Sequence, residues 1–533
     1  MAEFQEFQAQ HLANTAWAFA QLQIRNEPFM AAIAGAVEAK CRTGEFKLQE
    51  LAATAWAFAA LKCRDDPLLS AIADAALRAE EPWKAQEVSN MLWAFATLQV
   101  MHTPFLNVLM EAACLTTEFS AQGIANTAWS MATLALEHEP VMRAIAARAV
   151  EEISEFSLQG LSNTAWAFAT LTVLDTQLLE AIATRFCSLP LLDWDPGARE
   201  RHDHLLGLVS ALALSTGGAE LPPLVDVATR AEQLLSRRAQ EMDAKHSRAI
   251  SPDLDEFRLR AFERPGNRPC ILLEGAEACV LWKPPGWTVS VGSFDEDEEE
   301  KAWRSGAVGQ PLQSWVLDNM GPHWPIARDE KAEFGLVHRL DRDTSGPILC
   351  AKTYRGFHGL QLCLVRFQLC KDYVCLCEGF LSVGGGPRLL DAKLRVEGSG
   401  KSLRSVVAPK GRGQRAVLEI LEASHFLTET SEAVSLVRIR LRTGRMHQIR
   451  AQLSSLGHPL LGDVLYGTPR AWLPRIFLHA ASVGIRVHGL HGEPFHVDCV
   501  LPPDLQQVLG RCVPLDSSSR SCRESWLNGE IDG

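Results

Sequence analysis

The first two hundred residues repeat one pattern of apolar and polar positions five times. Each unit holds an apolar stretch close to NTAWAFA, then a short polar connection, often with a proline, and then a second segment of helical period. The register is set by five tryptophans spaced by 39, 37, 36 and 37 residues, namely Trp17, Trp56, Trp93, Trp129 and Trp166. A repeat near 37 residues with two helical segments predicts an all-α solenoid of helix pairs.

Each unit also carries a glutamine, and four of the five carry an asparagine four positions later, on the same face of the first helix. The pairs are Gln10 with Asn14, Gln86 with Asn90, Gln122 with Asn126, and Gln159 with Asn163, whereas Gln49 precedes Ala53. Such a column of amides forms either a hydrogen-bond ladder between helices or a surface that reads RNA bases. The tryptophans are expected to form core between neighbouring units.

From about residue 270 the pattern changes to short apolar or alternating runs separated by breakers. Runs such as CKDYVCLC and VSLVRIRL predict strands, whereas LQSWVLDNM has helical period. Without a regular alternation of strand and helix, this texture predicts an α+β domain with a largely antiparallel sheet. We therefore expect a multidomain chain with a repeat array at 1–238, a linker at 239–268, an α+β domain at 269–510 and a flexible tail at 511–533.

Composition narrows the class of protein. The chain has 533 residues, of which 47% are hydrophobic and 22% charged, as in ordinary globular proteins. No apolar run approaches the roughly 18 residues of a membrane span, and the N-terminus lacks a signal-peptide pattern. The 14 cysteines include no CxxC pair. These features predict an intracellular protein with reduced thiols, no membrane contact and no metal site.

The charge is distributed unevenly. The formal net charge is −12, yet residues 331–480 contain 22 Lys and Arg against 12 Asp and Glu, which is +10 and leaves −22 for the remainder. A basic block of this kind indicates a domain that binds a polyanion such as RNA.

Within that block, the stretch VHRLDRDTSGPILCAK places Asp341 between Arg339 and Arg342, at a turn that leads into a short apolar strand. A carboxylate between two arginines stays ionised, because neighbouring positive charge lowers its pKa. Asp341 is therefore a candidate nucleophile. From these residues alone, a solvated turn with surface ion pairs remains the alternative.

The order of several motifs adds a resemblance. HRLDRDTSG, the K-x-Y of Lys371 to Tyr373, LRTGRMHQIR, LGHPLLGDVLYG, WKPPGW and FLHAASV resemble the RluA-type pseudouridine synthases, which isomerise uridine in RNA, over residues 270–508. The resemblance implies that Asp341 is the catalytic carboxylate, that Arg450 pairs with it and that neither metal nor cofactor takes part. It also implies that Tyr373 lies against the target base and that Arg339 fills the space left by a flipped uridine.

Further RNA contacts are expected from the same motifs. The residues concerned are Lys283, Arg342, Arg445, His447 and Gln448. Arg445 is open to a structural role as well.

The repeats resemble the heptatricopeptide and octotricopeptide RNA-binding arrays of organelle RNA metabolism, from Phe4 to Leu191. This resemblance implies a plastid or mitochondrial protein, although no transit peptide precedes Phe4. A protein partner on the array stays open. We expect an RNA pseudouridine synthase for ribosomal or transfer RNA whose repeats aid recognition, or alternatively an inactive RNA-binding scaffold. Whether Asp341 attacks the sugar or deprotonates it is left open.

Overall fold

The computed structural model divides the chain into two compact units, Met1–Arg230 and Ala231–Gly533. The residues that it describes are 6–190, 199–217, 219, 221–245, 258–259, 266–289, 310–384, 386–398, 402–408, 413–470, 472–485 and 494–529. Most of the expected linker at 239–268 lies outside these residues.

The first unit is helical throughout its described part. Its helices are α1 (Ala9–Gln21), α2 (Glu27–Thr43), α3 (Leu48–Ala60), α4 (Asp66–Arg78), α5 (Ala85–Thr97), α6 (Thr103–Leu115), α7 (Ala121–Leu134), α8 (Glu139–Glu151), α9 (Leu158–Thr170), α10 (Thr176–Ser188), α11 (Arg199–Ser215) and α12 (Pro222–Lys245), the last of which ends in the second unit. From α1 to α11 the odd-numbered helices pack side by side, and so do the even-numbered helices from α2 to α10. The prediction of an all-α repeat array is confirmed.

The even-numbered helices up to α10 all begin with the same type of N-terminal cap. The residue before each of these helices accepts a hydrogen bond from a backbone N–H of the first turn, as Asn26 does from Phe29 at 3.1 Å and Asp65 from Leu68 at 3.0 Å. Proline stands in the first turn of α2, α4, α6 and α8, where its missing N–H costs no hydrogen bond. None of the helices in the described part of the chain has the length and apolar character that a membrane span requires.

The tryptophans do not fill the core as expected. Trp17 is 48% exposed, the other four are half-buried, and Trp56 stacks on Trp93 with ring centroids 6.1 Å apart. Seven residues make almost two full turns of a helix, so each indole shares the face of the exposed glutamine seven positions earlier. The core is formed instead by alanines and by phenylalanines two positions after the tryptophan, such as Phe58 and Phe95.

The second unit is an α+β structure. Its strands are β1 (Arg258–Leu259), β2 (Cys270–Glu274), β3 (Ala278–Lys283), β4 (Trp287–Thr288), β5 (Gln310–Pro311), β6 (Gly346–Ala351), β7 (Leu369–Glu378), β8 (Arg388–Glu397), β9 (Arg404–Val407), β10 (Gln414–Leu427), β11 (Ala433–Leu441), β12 (Leu478–Ile485), β13 (Phe495–Asp498) and β14 (Val513–Pro514). Its further helices are α13 (Leu312–Asn319), α14 (Tyr354–Val365), α15 (Gln448–Ser455), α16 (Pro503–Gly510) and α17 (Ser517–Asn528).

Two antiparallel sheets carry this unit. The smaller has the order β1-β2-β3-β6, and the larger has the order β13-β12-β7-β11-β10-β8-β9, with β14 beside β10. The strands β4 and β5 form a separate parallel pair. The prediction of an α+β domain with antiparallel sheets is confirmed.

The two sheets meet directly beside the motif that contains Asp341. Ser345 pairs with His479 of β12, and its carbonyl accepts a hydrogen bond of 2.8 Å from the N–H of Ala480. Gly346 follows with φ of +138°, and a Cβ there would lie 2.4 Å from the carbonyl oxygen of Ala480. Only glycine therefore allows β6 to approach β12 this closely.

The flexible tail expected at 511–533 is wrong for the described residues up to 529. The Ser-rich stretch forms α17, whose first turn is capped by Asp516, which accepts a hydrogen bond of 2.7 Å from the N–H of Ser519. Trp526 is 5% exposed and packs against Leu505 and Val508 of α16. A single buried tryptophan thus anchors a helix whose composition is otherwise that of a surface segment.

Candidate active site

Lys283, at the end of β3, holds the loop that carries Asp341 through a hydrogen bond to its backbone. The ammonium group donates hydrogen bonds to the carbonyls of Pro284 at 3.0 Å, Trp287 at 2.8 Å and Arg342 at 2.9 Å. Burial lowers the pKa of Lys283 to about 7, while three acceptors match the three protons of the charged form. The prediction that Lys283 contacts RNA is wrong, because its side chain is fully buried and its donors are used within the fold.

A second cation, which the sequence analysis did not single out, binds the residues of the loop that follow Arg342. Arg475 donates to the carbonyl of Asp343 at 2.8 Å and to the hydroxyl of Ser345 at 3.0 Å. Its Nε binds the Asp504 carboxylate at 2.7 Å. Fixing the carbonyls of Arg342 and Asp343, the two residues that follow Asp341, gives its carboxylate a rigid support.

Arg450 of α15 links two carboxylates. Its Nη1 donates to Oδ2 of Asp341 at 3.1 Å, while its Nε and Nη2 donate to the two carboxylate oxygens of Asp463 at 2.7 and 2.9 Å. Asp463 is 1% exposed and also accepts hydrogen bonds from the backbone N–H groups of Leu465 and Tyr466. This two-bond contact fixes the guanidinium plane, so that one N–H is directed at Asp341.

The sequence analysis assigns no role to Asp463, which lies in the motif LGHPLLGDVLYG. The available signal is that a lone carboxylate between aliphatic residues requires a buried cation as partner.

The electrostatics keep Asp341 ionised. Burial by itself raises its pKa, but the charges of His447 and Arg450 and the hydrogen bond from Arg450 outweigh burial, so the pKa lies below its usual range. Burial lowers the pKa of His447, so this imidazole is neutral near pH 7 and Arg450 is then the cation that matters. The Asp341 side chain is 22% exposed, which leaves it accessible to a substrate. An ionised, reachable carboxylate can act as a nucleophile or as a base.

Tyr373 lies in β7, between Ile439 of β11 and Ala480 of β12. Only 6% of the residue is exposed, and burial together with the charge of Asp341 raises the pKa of its phenol. The phenol is therefore neutral at physiological pH, and its ring is the part that can contact an uncharged base.

The remaining predicted contacts separate into exposed and structural residues. Arg339 is half-buried and makes no hydrogen bond to any described residue, while Arg342 is exposed and chelates the neighbouring Asp343 at 3.0 and 3.1 Å. Arg445 is half-buried, and its Nε donates to the carbonyl of Arg415 at 3.2 Å, in line with its structural alternative.

Gln448 is a structural residue in this structure. It is 3% exposed, and its amide oxygen accepts hydrogen bonds from the Thr443 hydroxyl at 2.8 Å and from the N–H of Arg445 at 3.0 Å. Its amide oxygen thus holds the turn that leads into α15, and its predicted RNA contact stays a prediction. The neighbouring His447 is different, since its Nε2 lies 4.0 Å from Oδ2 of Asp341.

The amide column of the repeats lies on the surface of the odd-numbered helices. All five glutamines are exposed, Asn14 is exposed, and Asn90, Asn126 and Asn163 are half-buried. None of these amide side chains makes a hydrogen bond to another residue that the structure describes. Of the two alternatives, the hydrogen-bond ladder is therefore not formed, and the amides are available to an external group.

Comparison with known proteins gives a family match in each half of the chain. A family model described as RNA pseudouridylate synthase matches residues 279–455, and one described as RNA-editing substrate-binding complex 6 protein matches residues 2–192. The solved structure of human RNA pseudouridylate synthase domain containing 1 aligns with 51% of this chain and 100% of its own, at 22% identity and a TM-score of 0.36.

Two bacterial relatives are more similar in sequence. Ribosomal large subunit pseudouridine synthase D of Zymomonas mobilis is 34% identical over 181 residues, which are 32% of this chain and 54% of that protein. The protein of the same description from Vibrio cholerae is 30% identical over 270 residues, 48% of this chain and 73% of that protein. With that identity over more than two thirds of a relative, the chain belongs to the RNA pseudouridylate synthase family.

Proposed function

We propose that the protein converts specific uridines of RNA to pseudouridine and that Asp341 is the group that acts on the sugar. The observation that carries this proposal is the geometry of Asp341, an ionised and reachable carboxylate held by Arg450 in a chain of this family. The bacterial relatives are described as synthases of the large ribosomal subunit, which makes the large-subunit ribosomal RNA the first substrate to examine.

The reaction breaks the bond between C1′ of ribose and N1 of uracil, rotates the base and joins C1′ to C5. An ionised carboxylate beside the sugar serves this step either by attack on C1′ or by removal of a proton from C2′. Both routes require Asp341 to be charged, and Arg450 maintains that charge in a partly dry site. The isomerisation conserves atoms and electrons, so it consumes no redox partner.

Access to C1′ requires the uridine to leave its stack. Tyr373 supplies a neutral ring for the flipped base, and Arg339 supplies a side chain that makes no hydrogen bond to a described residue and can enter the gap. Unstacking costs a few kcal/mol, which such contacts offset.

Replacement of Arg339 by alanine tests the gap-filling role. We expect kcat/KM of Arg339→Ala to fall by about 10- to 100-fold on a duplex or hairpin RNA, because the cost of flipping is no longer offset. On an unpaired RNA of the same sequence the loss should be several times smaller. Arg342→Ala is the matched control, because Arg342 is an exposed arginine on the other side of Asp341 in the sequence. If Arg342 contacts a phosphate, its loss weakens binding of the paired and the unpaired RNA equally. Equal losses for Arg339→Ala on both RNAs would contradict gap filling.

The repeat array is proposed to aid the choice of RNA. Support comes from the match of residues 2–192 to an RNA-editing substrate-binding protein and from the unengaged amides beside half-exposed indoles. Residues 1–230 contain 14 Lys and Arg against 27 Asp and Glu, so the array lacks the positive charge that binds phosphates. It is therefore expected to contact bases, through amide hydrogen bonds and indole stacking.

A triple variant, Asn90→Ala with Asn126→Ala and Asn163→Ala, tests this role. We expect it to change which uridines are modified, or to lower kcat/KM on natural sites about tenfold, while the rate on a short single-stranded RNA is unchanged. RNA binding by the array should also depend weakly on salt. The matched control is Asn107→Ala with Gln177→Ala, two exposed amides on even-numbered helices. Equal effects of both variants would contradict a role for the amide face.

The activity itself is tested with purified full-length protein and unmodified transcripts of large-subunit ribosomal RNA and transfer RNA. Site-resolved mapping of pseudouridine should reveal a small number of modified uridines. Tight binding of the transcripts without any pseudouridine would contradict the proposal and favour the inactive RNA-binding scaffold. The resemblance of the repeats to organelle arrays supports a location in a plastid or mitochondrion. A fluorescent fusion of the full chain tests this location, and a cytosolic signal would contradict it.

A further inference from the structure

His447 stands beside Asp341 but has no role in the steps described above. It precedes α15 with φ of +50°, and its Nε2 lies 4.0 Å from Oδ2 of Asp341. The ring packs edge-on against Tyr466, with centroids 5.8 Å apart and planes at 87°. Its side chain keeps 18% of its exposed area, so the imidazole borders the space that a substrate at Asp341 occupies.

The hydrogen bonds of Tyr466 determine which imidazole nitrogen carries the proton. The Tyr466 hydroxyl donates its only proton to the carbonyl of Ser405 at 2.8 Å, and it accepts the N–H of the same residue at 2.8 Å. Toward Nδ1 of His447, 3.3 Å away, this oxygen can therefore only accept. Nδ1 must carry the proton, and Nε2 of the neutral ring presents a lone pair toward the site.

The charges that face the imidazole come from several elements. Asp341 and Asp463 favour its protonated form, whereas Arg450 and Arg339 oppose it, and burial opposes it most strongly. The net effect lowers the pKa of His447, so that the ring is neutral near pH 7 and can accept a proton. Once protonated, it would be stabilised by the Asp341 carboxylate.

We propose that Nε2 of His447 is the base that removes the proton from C5 of the rearranged uracil. This inference deepens the proposed function and rests on it. It assigns the C5 proton transfer to one named atom, which lies 4.0 Å from the carboxylate that acts at the sugar.

The proton balance of the reaction requires such a base. Once C1′ is joined to C5, C5 is tetrahedral and still carries its hydrogen, while N1 of the uracil is doubly bonded to C6. Nε2 takes the hydrogen as a proton, the C–H electron pair forms the C5–C6 double bond, and the N1–C6 π pair moves to N1. N1 is then protonated, by His447 or by water, so the net change moves one proton from C5 to N1.

Substitution of His447 by asparagine tests the assignment, because an asparagine Nδ2 occupies the place of Nδ1 and can still donate to Tyr466. The assay uses the full-length protein and a transcript of large-subunit ribosomal RNA made with [5-³H]uridine or [5-²H]uridine. We expect His447→Asn to release tritium about 10- to 100-fold more slowly than wild type, which is the range for loss of a general base. A deuterium isotope effect at C5 should appear or grow, because proton removal becomes rate-limiting.

A second substrate separates this step from the earlier ones. A transcript with 5-fluorouridine has no C5 proton to lose, so rearrangement stops after the carbon–carbon bond forms. Wild type and His447→Asn should rearrange this transcript at equal rates, whereas Asp341→Asn should leave it unrearranged. Equal slowing of His447→Asn on both transcripts would overturn the inference and assign His447 to an earlier or structural role. An unchanged rate on the tritiated transcript would overturn it as well.

The pH profile supplies a readout that a purely structural role does not move. As the pH falls through the pKa of His447, which burial places below the usual histidine value, Nε2 becomes protonated and kcat of wild type should decline. The His447→Asn enzyme should lack this decline and retain only the one at more acidic pH, which is caused by protonation of Asp341. A decline that persists unchanged in the variant would contradict the assignment. If wild type releases no tritium from any transcript, the proposed function fails first, and the inference fails with it.

Discussion

Asp341→Asn is expected to lower pseudouridine formation by about a thousandfold or more, with the protein still folded. Asparagine has the shape of aspartate and can still accept the hydrogen bond that Nη1 of Arg450 donates over 3.1 Å. It cannot attack C1′ or remove a proton from C2′. Arg450 also keeps its two-bond contact with Asp463, so no buried charge is left without a partner. The measurement is the initial rate of tritium release from [5-³H]uridine RNA under single-turnover conditions.

The neighbouring carboxylate provides the control. Asp343→Asn removes a partner of the exposed Arg342, while the Asp343 carbonyl that Arg475 holds is unaffected. We expect at most a fewfold change in rate, because surface pairs contribute at most about 1 kcal/mol. RNA affinity of Asp341→Asn should match wild type within a few fold. Residual activity above a tenth of wild type would contradict the assignment of Asp341.

Asp463→Asn is expected to damage both stability and turnover. Removing one partner of a buried ion pair costs about 3–5 kcal/mol, and the remaining pairing of Arg450 with Asp341 places this loss at the lower end. The guanidinium then loses the contact that fixes its plane, and a displacement near 1 Å lowers kcat by about a hundredfold. Urea unfolding measures the first effect, and kcat and KM measured separately detect the second, with KM nearly unchanged.

Glu274→Gln is the matched control for Asp463→Asn. Glu274 is a buried carboxylate that pairs with Lys352 at 3.1 Å, and this pair lies at the opposite end of the antiparallel β3–β6 pairing from Lys283. We expect a comparable loss of stability with kcat preserved in the folded protein. If both variants lower kcat equally, Asp463 is a structural residue and does not position Arg450 for the reaction.

The fold was predictable where local periodicity decides it. The spacing of the five tryptophans identified the helical repeats, and the short alternating runs identified the antiparallel sheets. The orientation of a side chain was less predictable. The tryptophans were expected in the core because of their size, but their seven-residue offset from the glutamines leaves four of them half-buried and Trp17 exposed. Trp526 shows the converse, since one large apolar residue anchors a helix in a polar segment.

The active site depends on contacts that are distant in sequence. The motifs indicated Asp341 and Arg450, which the fold brings within hydrogen-bond distance although 109 positions separate them. They could not indicate that Lys283, the last residue of β3, turns inward to three carbonyls. Nor could they indicate the protonation of His447, which follows from the bonds between Tyr466 and Ser405. Such assignments require the acceptors around each donor, which are known only after folding.

If this chain modifies RNA through Asp341, loss of that carboxylate removes specific pseudouridines from the cell. The most direct test is a site-resolved pseudouridine map of total RNA from cells that express either the wild-type protein or Asp341→Asn at equal levels. We expect a defined set of pseudouridines to disappear in the variant, while all other sites are unchanged. Identical maps in the two strains would show that Asp341 does not carry the activity.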